Sequence, residues 1–440
     1  MSTVKIGTSK AVINNEIGTD IQAATHMKKV AYIRDDLEAN ALWLETDDEG
    51  LLLISCDLVG LELEYVQDVL PVIGQACGIS PEHILIGCSH THSGPAILGP
   101  TCPGKPLDEP YLERLREGLV KIGREAVEAA APGQIACGRG EAQIGYNRRC
   151  CWADGTHTMH GDTTRSDFTG LEGGSDAQHT GLFVLDAHDN VRAILYNNTT
   201  HTTTFYGADF LSADYPGLAR RYFRDLFGDI AVLFFNGAIG DIALENQLAM
   251  RKGGEKREQK MARAAHLIVG ETLRLLHEAE FRPEISLKHR LRRLEIPIRL
   301  PSQERLQWAR DLLLEAERTD MLNLDVATAF QTIILHDRFA EKPRETVELH
   351  AVCLDDFAFV TVPCEIFSHF GQRIKARSPF AVTSLFGLVN GDMGYCPTTE
   401  GILGGHWGGD PMLAARWDVT AGYRIVDEAA SLLHALWQDA

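Results

Sequence analysis

The sequence predicts an α/β fold with mixed sheet or sheets flanked by helices. Short apolar runs alternate with long helical stretches through nearly the whole chain. Several of those runs stop abruptly in clusters of Gly, His, Asn, Asp and Glu, as strands of open sheets do where ligands bind. With 45% hydrophobic residues in 440, the chain can bury one large core or two of ordinary size.

The elements follow in order. Residues 51–56, an unbroken apolar run up to Ser55, read as a strand, and 61–78 carry helical periodicity. Residues 84–87 are a second strand. A long helix is expected over 108–131, with Pro110 in its first turn, where a missing N–H leaves no bond unmade. Strands are expected at 134–137, 181–186, 192–196 and 230–235, and long helices at 256–280, 302–318 and 411–438. The stretch 151–179 is rich in Gly, Asp, Thr and His, and reads as a long surface loop of the functional kind. With no repeat, low-complexity tract or linker, residues 1–440 read as one catalytic unit, a single domain or two closely packed α/β halves.

Composition narrows the function. The 42 basic and 61 acidic side chains leave a net charge of −19, which argues against a nucleic-acid partner. No apolar run reaches the roughly 18–20 residues of a membrane span. The N-terminus lacks an apolar signal core, and the ten cysteines are scattered without a CxxC pair. Reduced thiols in a cytoplasmic protein are expected, and a cysteine-built zinc site is not. A small-molecule substrate fits this balance, and a homo-oligomer is left open.

Polar groups at the strand ends carry the chemistry. His90-Thr91-His92 follows the run at 84–87. Neutral imidazole is the commonest protein metal ligand, so the pair suggests a metal-centred site; two histidines capping a loop are the alternative. If the motif stays extended, both rings face one side. His201 sits in a polar run after 193–196, as a ligand or a core histidine. Asp241, after Asn236-Gly237, is either a carboxylate that organises the site or a helix cap. Glu365 follows the apolar run 357–363, where a carboxylate is costly unless paired or metal-bound, although helix N-termini also attract Glu. Tyr395 lies in a Gly/Pro-rich loop, for packing or for chemistry.

Together these segments resemble the catalytic domain of the neutral/alkaline non-lysosomal ceramidase family. The resemblance rests on residues 6–13, on Ser89-His90-Thr91-His92-Ser93-Gly94-Pro95, on Tyr146-Asn147-Arg148-Arg149, on Pro363-Cys364-Glu365 and on residues 394–400, collinear along the chain. It implies one Zn²⁺ held by His90, His201, Glu365 and Tyr395, with His92 and Arg148 binding substrate or steadying the oxyanion. Three features depart from the family. Ala243 stands where it has a hydroxyl, His406-Trp407 where it has a second tyrosine, and no residues remain for its C-terminal β-sandwich. The expected function is zinc-dependent hydrolysis, by metal-activated water, of an amide in a small or medium N-acyl compound, smaller and more polar than ceramide. An ester or lactone hydrolase, and a non-catalytic metal-stabilised binding protein, are the alternatives.

Overall fold

The computed structural model describes residues 2–22, 28–99, 103, 107–249, 255–319 and 321–439. The chain opens with β1 (Lys5–Val12), β2 (Glu38–Glu45), β3 (Gly50–Cys56), α1 (Leu63–Cys77), β4 (Ile84–Cys88), α2 (Glu109–Glu128) and β5 (Ala131–Glu141). Helix α1 stops at Gly78, whose φ of 70° suits a residue without Cβ. Helix α2 starts at Asp108, whose carboxylate accepts the Tyr111 N–H. Next come β6 (Tyr146–Asn147), β7 (Arg149–Trp152), β8 (His157–Met159), β9 (Phe168–Leu171), β10 (Gln178–Asp186) and β11 (Val191–Asn198). They are followed by α3 (Asp214–Phe227), β12 (Ala231–Asn236), β13 (Ile242–Ala243) and α4 (Arg257–Glu278). The last third holds β14 (Leu287–Pro297), α5 (Gln303–Thr319), α6 (Leu324–Phe339), β15 (Arg344–Leu354), β16 (Phe357–Val362) and β17 (Glu365–Ile366). It closes with α7 (Ser368–Ala376), β18 (Val382–Gly387), β19 (Tyr395–Cys396), α8 (Thr399–Gly404) and α9 (Ala421–Asp439).

Eight strands form a mixed sheet in the order β12-β11-β10-β5-β1-β2-β3-β4, and four form a second in the order β14-β15-β16-β18. The sheets pack face to face. Leu51 and Leu53 of β3 point to the shared core with Phe359 and Phe386, while Leu52 and Ile54 point the other way, to α1 and α2. Both faces of β3 are therefore buried, which is why its sequence is continuously apolar rather than alternating. Phe386 stacks between Phe235 and Phe359, with ring centroids 4.6 and 4.4 Å apart, and so ties the two sheets together. Helices α7 and α9 cover the outer face of the second sheet. The result is a helix–sheet–sheet–helix stack, the α/β class the sequence predicts.

Within these two sheets three pairs run parallel: β3 with β4, β11 with β12, and β16 with β18. The loops leaving β4, β11, β12, β16 and β18 carry His90, His201, Asp241, Glu365 and Tyr395 in turn. Their carboxyl ends gather at one place, where ligands sit in open α/β sheets.

Several expectations need correction. The expected helix over 411–438 begins only at Ala421. Residues before it run as irregular chain against the site, with Ala414 O accepting the Tyr395 N–H at 2.6 Å and Trp417 bridging Ile298. The stretch 151–179 is not a plain loop, because β7, β8 and β9 form a three-stranded antiparallel sheet within it. Helix 108–131 is cut short at Glu128 because Ala131 already starts β5, pairing with Ile6. Helices α3, α6 and α7 were not anticipated. In α6 the buried residues fall all round the helix, leaving no amphipathic stripe to read.

Candidate metal centre

His90, His201 and Glu365 meet at buried strand tips. The rings of His90 and His201 lie 4.8 Å apart, centre to centre. Glu365 Oε2 stands 2.8 Å from His201 Nε2 and 3.5 Å from His90 Nε2. Tyr395 is the direct parallel partner of Glu365 in the β17–β19 pair, so both residues are placed by one ladder. All four residues that the family resemblance implies as ligands are brought together. His92 joins them: its Nε2 is 3.1 Å from His90 Nε2, and its ring stacks 6.1 Å from that of His201.

The motif that delivers the two histidines is not extended. His90 has φ of 65°, and its backbone N–H bonds to Leu58 O at 2.8 Å. The bend, not an i/i+2 alternation, turns both rings inward. His160 and His406, at φ of 64° and 65°, line the same cavity. Left-handed backbone at a non-glycine residue costs on the order of 1–3 kcal/mol, and such strain clusters at functional sites.

Tautomers decide what the cluster can hold. His201 Nδ1 faces the Ile239 and Ile242 carbonyls at 2.8 and 3.0 Å, and His90 Nδ1 faces Val59 O at 2.5 Å. Carbonyls only accept, so Nδ1 carries the proton in each ring and Nε2 points inward. Burial, then the Arg148 charge, holds His201 at a pKa of about 3, so the ring is neutral and its Nε2 is a lone pair. The 2.8 Å approach of Glu365 Oε2 to that nitrogen is therefore a contact between two acceptors. Among the described residues no donor reaches the buried Oε2. Burial opposes charge on His90 and Glu365 alike, yet their attraction raises the histidine pKa and holds the glutamate well below the carboxylate range. At 3.5 Å that pair is too long for a hydrogen bond. Converging lone pairs on two imidazoles and a carboxylate fit a divalent cation.

Arg148 is 4% exposed and donates from Nη2 to His201 Nε2 at 2.8 Å, Gly240 O at 3.0 Å and Tyr395 Oη at 3.4 Å. Its Nε has no partner among the described residues. Asp241 does not touch the cluster. Its carboxylate accepts the Ser368 N–H at 2.7 Å and the Ser368 hydroxyl at 2.9 Å, capping α7, and the Asn147 amide at 2.9 Å. Asp241 O also accepts the Arg148 N–H at 2.8 Å, so the cap and the arginine are set by one residue.

The cluster lies at one end of a cavity of about 880 Å³. Met159 to Thr164, from the stretch the sequence marks as functional, form part of its wall. Val59, Leu98, Leu324, Trp407 and Leu413 give the rest an apolar stretch, beside Glu62, Arg257, Lys260 and Arg416. His160, Asp392, Tyr206 and Gln247 also line it; Asp392 shares the strand-end loop of Tyr395, while the other three follow no apolar strand directly.

No family model matches this chain, and no curated protein matches it. Solved structures do, and two of them are ceramidases. The neutral ceramidase from Pseudomonas aeruginosa superimposes at a TM-score of 0.73, with 15% identity, over 100% of this chain and 75% of that one. A ceramidase complexed with C2 gives 0.72 and 14%, over 100% and 76%. At such identities the likeness establishes the fold. Among the described residues no helix is long and apolar enough to cross a membrane.

Proposed function

We propose that the chain is a zinc-dependent hydrolase that cleaves the amide of a small or medium N-acyl compound. The observation that carries this reading is the donorless Glu365 Oε2 set against the inward Nε2 atoms of His201 and His90, at the end of a cavity large enough for a small molecule. His90, His201, Glu365 and Tyr395 would hold the ion. Zn²⁺ bound there supplies Lewis acidity toward a carbonyl and toward water.

The chain's own groups do the rest. The Arg148 guanidinium, held by Gly240 O while its backbone N–H is held by Asp241 O, places a permanent positive charge where negative charge develops on the carbonyl oxygen. His92 stands beside the same point as a second donor. The apolar wall from Leu324 to Leu413 takes the acyl part and excludes water from it. The fold of two ceramidases supports amide cleavage over the ester or lactone alternative.

The test is a metal assay joined to a substrate screen. Chelation should abolish turnover of N-acylated amines, and Zn²⁺ should restore it. Turnover of matched esters or lactones alone would replace the amide reading. Turnover that survives complete metal removal would overturn the metal one.

A further inference from the structure

A second group of ligand-type side chains lies outside the cavity. Cys151 and His157 are direct partners in the antiparallel β7–β8 ladder, so their side chains leave the same face. Glu400, in the first turn of α8, reaches the same point. The Cys151 sulfur, an imidazole nitrogen of His157 and a Glu400 carboxylate oxygen all lie within 4.8 Å of one another.

His157 is 9% exposed, and its Nδ1 is 2.7 Å from Glu172 Oε2, an oxygen that Arg149 Nε also holds. With the carboxylate accepting from Nδ1, the ring's remaining lone pair is on Nε2. That nitrogen has no hydrogen-bond partner among the described residues. A carboxylate behind an imidazole is the arrangement that orients histidines bound to metals. Cys151 is a free thiol, and a cavity of about 480 Å³ opens beside His157, Glu172 and Glu400.

We propose that Cys151, His157 and Glu400 form a second metal site that takes Zn²⁺, with its fourth position open to this cavity. A thiolate with an imidazole selects a borderline-soft ion over Ca²⁺ or Mg²⁺. Binding releases the Cys151 proton, so affinity rises with pH. β8 runs on into Met159 and His160, and α8 into His406 and Trp407, all on the wall of the large cavity. The ion ties the hairpin to the helix where Arg149 already bonds to Gly405 O at 2.9 Å and Trp407 O at 3.0 Å.

The test uses the full chain, stripped by chelation and reloaded with Zn²⁺ or Co²⁺ alone. Among the described residues no cysteine lines the large cavity, so the thiolate-to-cobalt charge-transfer absorption that Cys151→Ser removes reports the second site. Wild type should bind two ions per chain and show the band. Cys151→Ser and the exposed-site variant Glu400→Gln should each lose one equivalent, and Cys151→Ser should lose the band. His90→Ala should keep it. One ion per chain with the band still supports this site and counts against the first. A wild-type chain without the band, or a band that survives Cys151→Ser, overturns the proposal.

Discussion

Glu365→Gln separates a carboxylate kept for a cation from one kept for an ion pair. In chelated protein, Glu365 Oε2 sits 2.8 Å from the His201 lone pair with no donor. The introduced amide can turn an N–H to that nitrogen, sharing its lone pair with Arg148, for at most about 0.5–1.5 kcal/mol net. It also removes an unsatisfied buried acceptor, whose cost is about 1–3 kcal/mol. Against this stands the loss of attraction to His90 at 3.5 Å. Were that a true buried ion pair, breaking it would cost about 3–5 kcal/mol. At 3.5 Å the pair has no hydrogen bond but keeps its Coulomb attraction; if the carboxylate is kept for a cation rather than for this pair, the first two effects win. Chelated Glu365→Gln should match or exceed chelated wild type in urea unfolding, by up to about 1–3 kcal/mol. It should also bind no zinc at the first site and lose turnover. Metal content, urea midpoints after chelation and turnover are the measurements. A chelated variant weaker by several kcal/mol, or one with full zinc and turnover, would refute the reasoning.

Other expectations concern neighbouring groups. His90→Ala should lose zinc and turnover together. His92→Ala and Arg148→Ala should keep the metal while turnover falls by about 10²–10³, the scale of one oxyanion donor. If His92→Ala strips the metal, the three clustered histidines are the ligand set instead. Asp241→Ala removes three hydrogen bonds to a buried carboxylate at the start of α7. It should cost about 2–4 kcal/mol in denaturant unfolding, and a loss under 1 kcal/mol would show that the network carries little. Burial holds His179 near a pKa of 4 and His350 near 3. These folded values lie below the roughly 6.5 of an unfolded histidine. The stability tied to their neutral rings is full above that value and falls as pH drops toward the folded ones. Between pH 7 and 5 the loss should be about 1–2 kcal/mol for each, and equal urea midpoints at the two pH values would exclude it.

Much of the architecture was legible because burial leaves a direct mark on sequence. The runs at 51–56, 84–87 and 230–235 are apolar but for Ser55 and Gly87 because they lie between two covered faces, and the structure makes strands of all three. Asp108 with Pro110, and Gly78, mark helix ends through bonds made within a few residues, so α1 and α2 were visible. Helix α6 was not, because it is buried on several sides. The false start at 411 arose because residues 411–420 are held by Gln331, Tyr395 and Ile298, groups distant in sequence.

For the site, the sequence by itself determined which residue types stand at strand ends: His90, His201, Glu365 and Tyr395 each follow an apolar run, because a parallel strand must end before polar groups can gather. Only the tertiary structure decided that they meet. It also supplied Val59, Ile239 and Ile242, whose carbonyls fix the imidazole tautomers through backbone atoms that carry no side-chain signature. Asp241 shows the same division. The sequence offered a metal-organising carboxylate or a helix cap, and the fold made it the cap of α7, more than a hundred residues away, with Arg148 held on its backbone. Proton positions and lone-pair directions depend on what lies across the fold, and that is written in no local pattern.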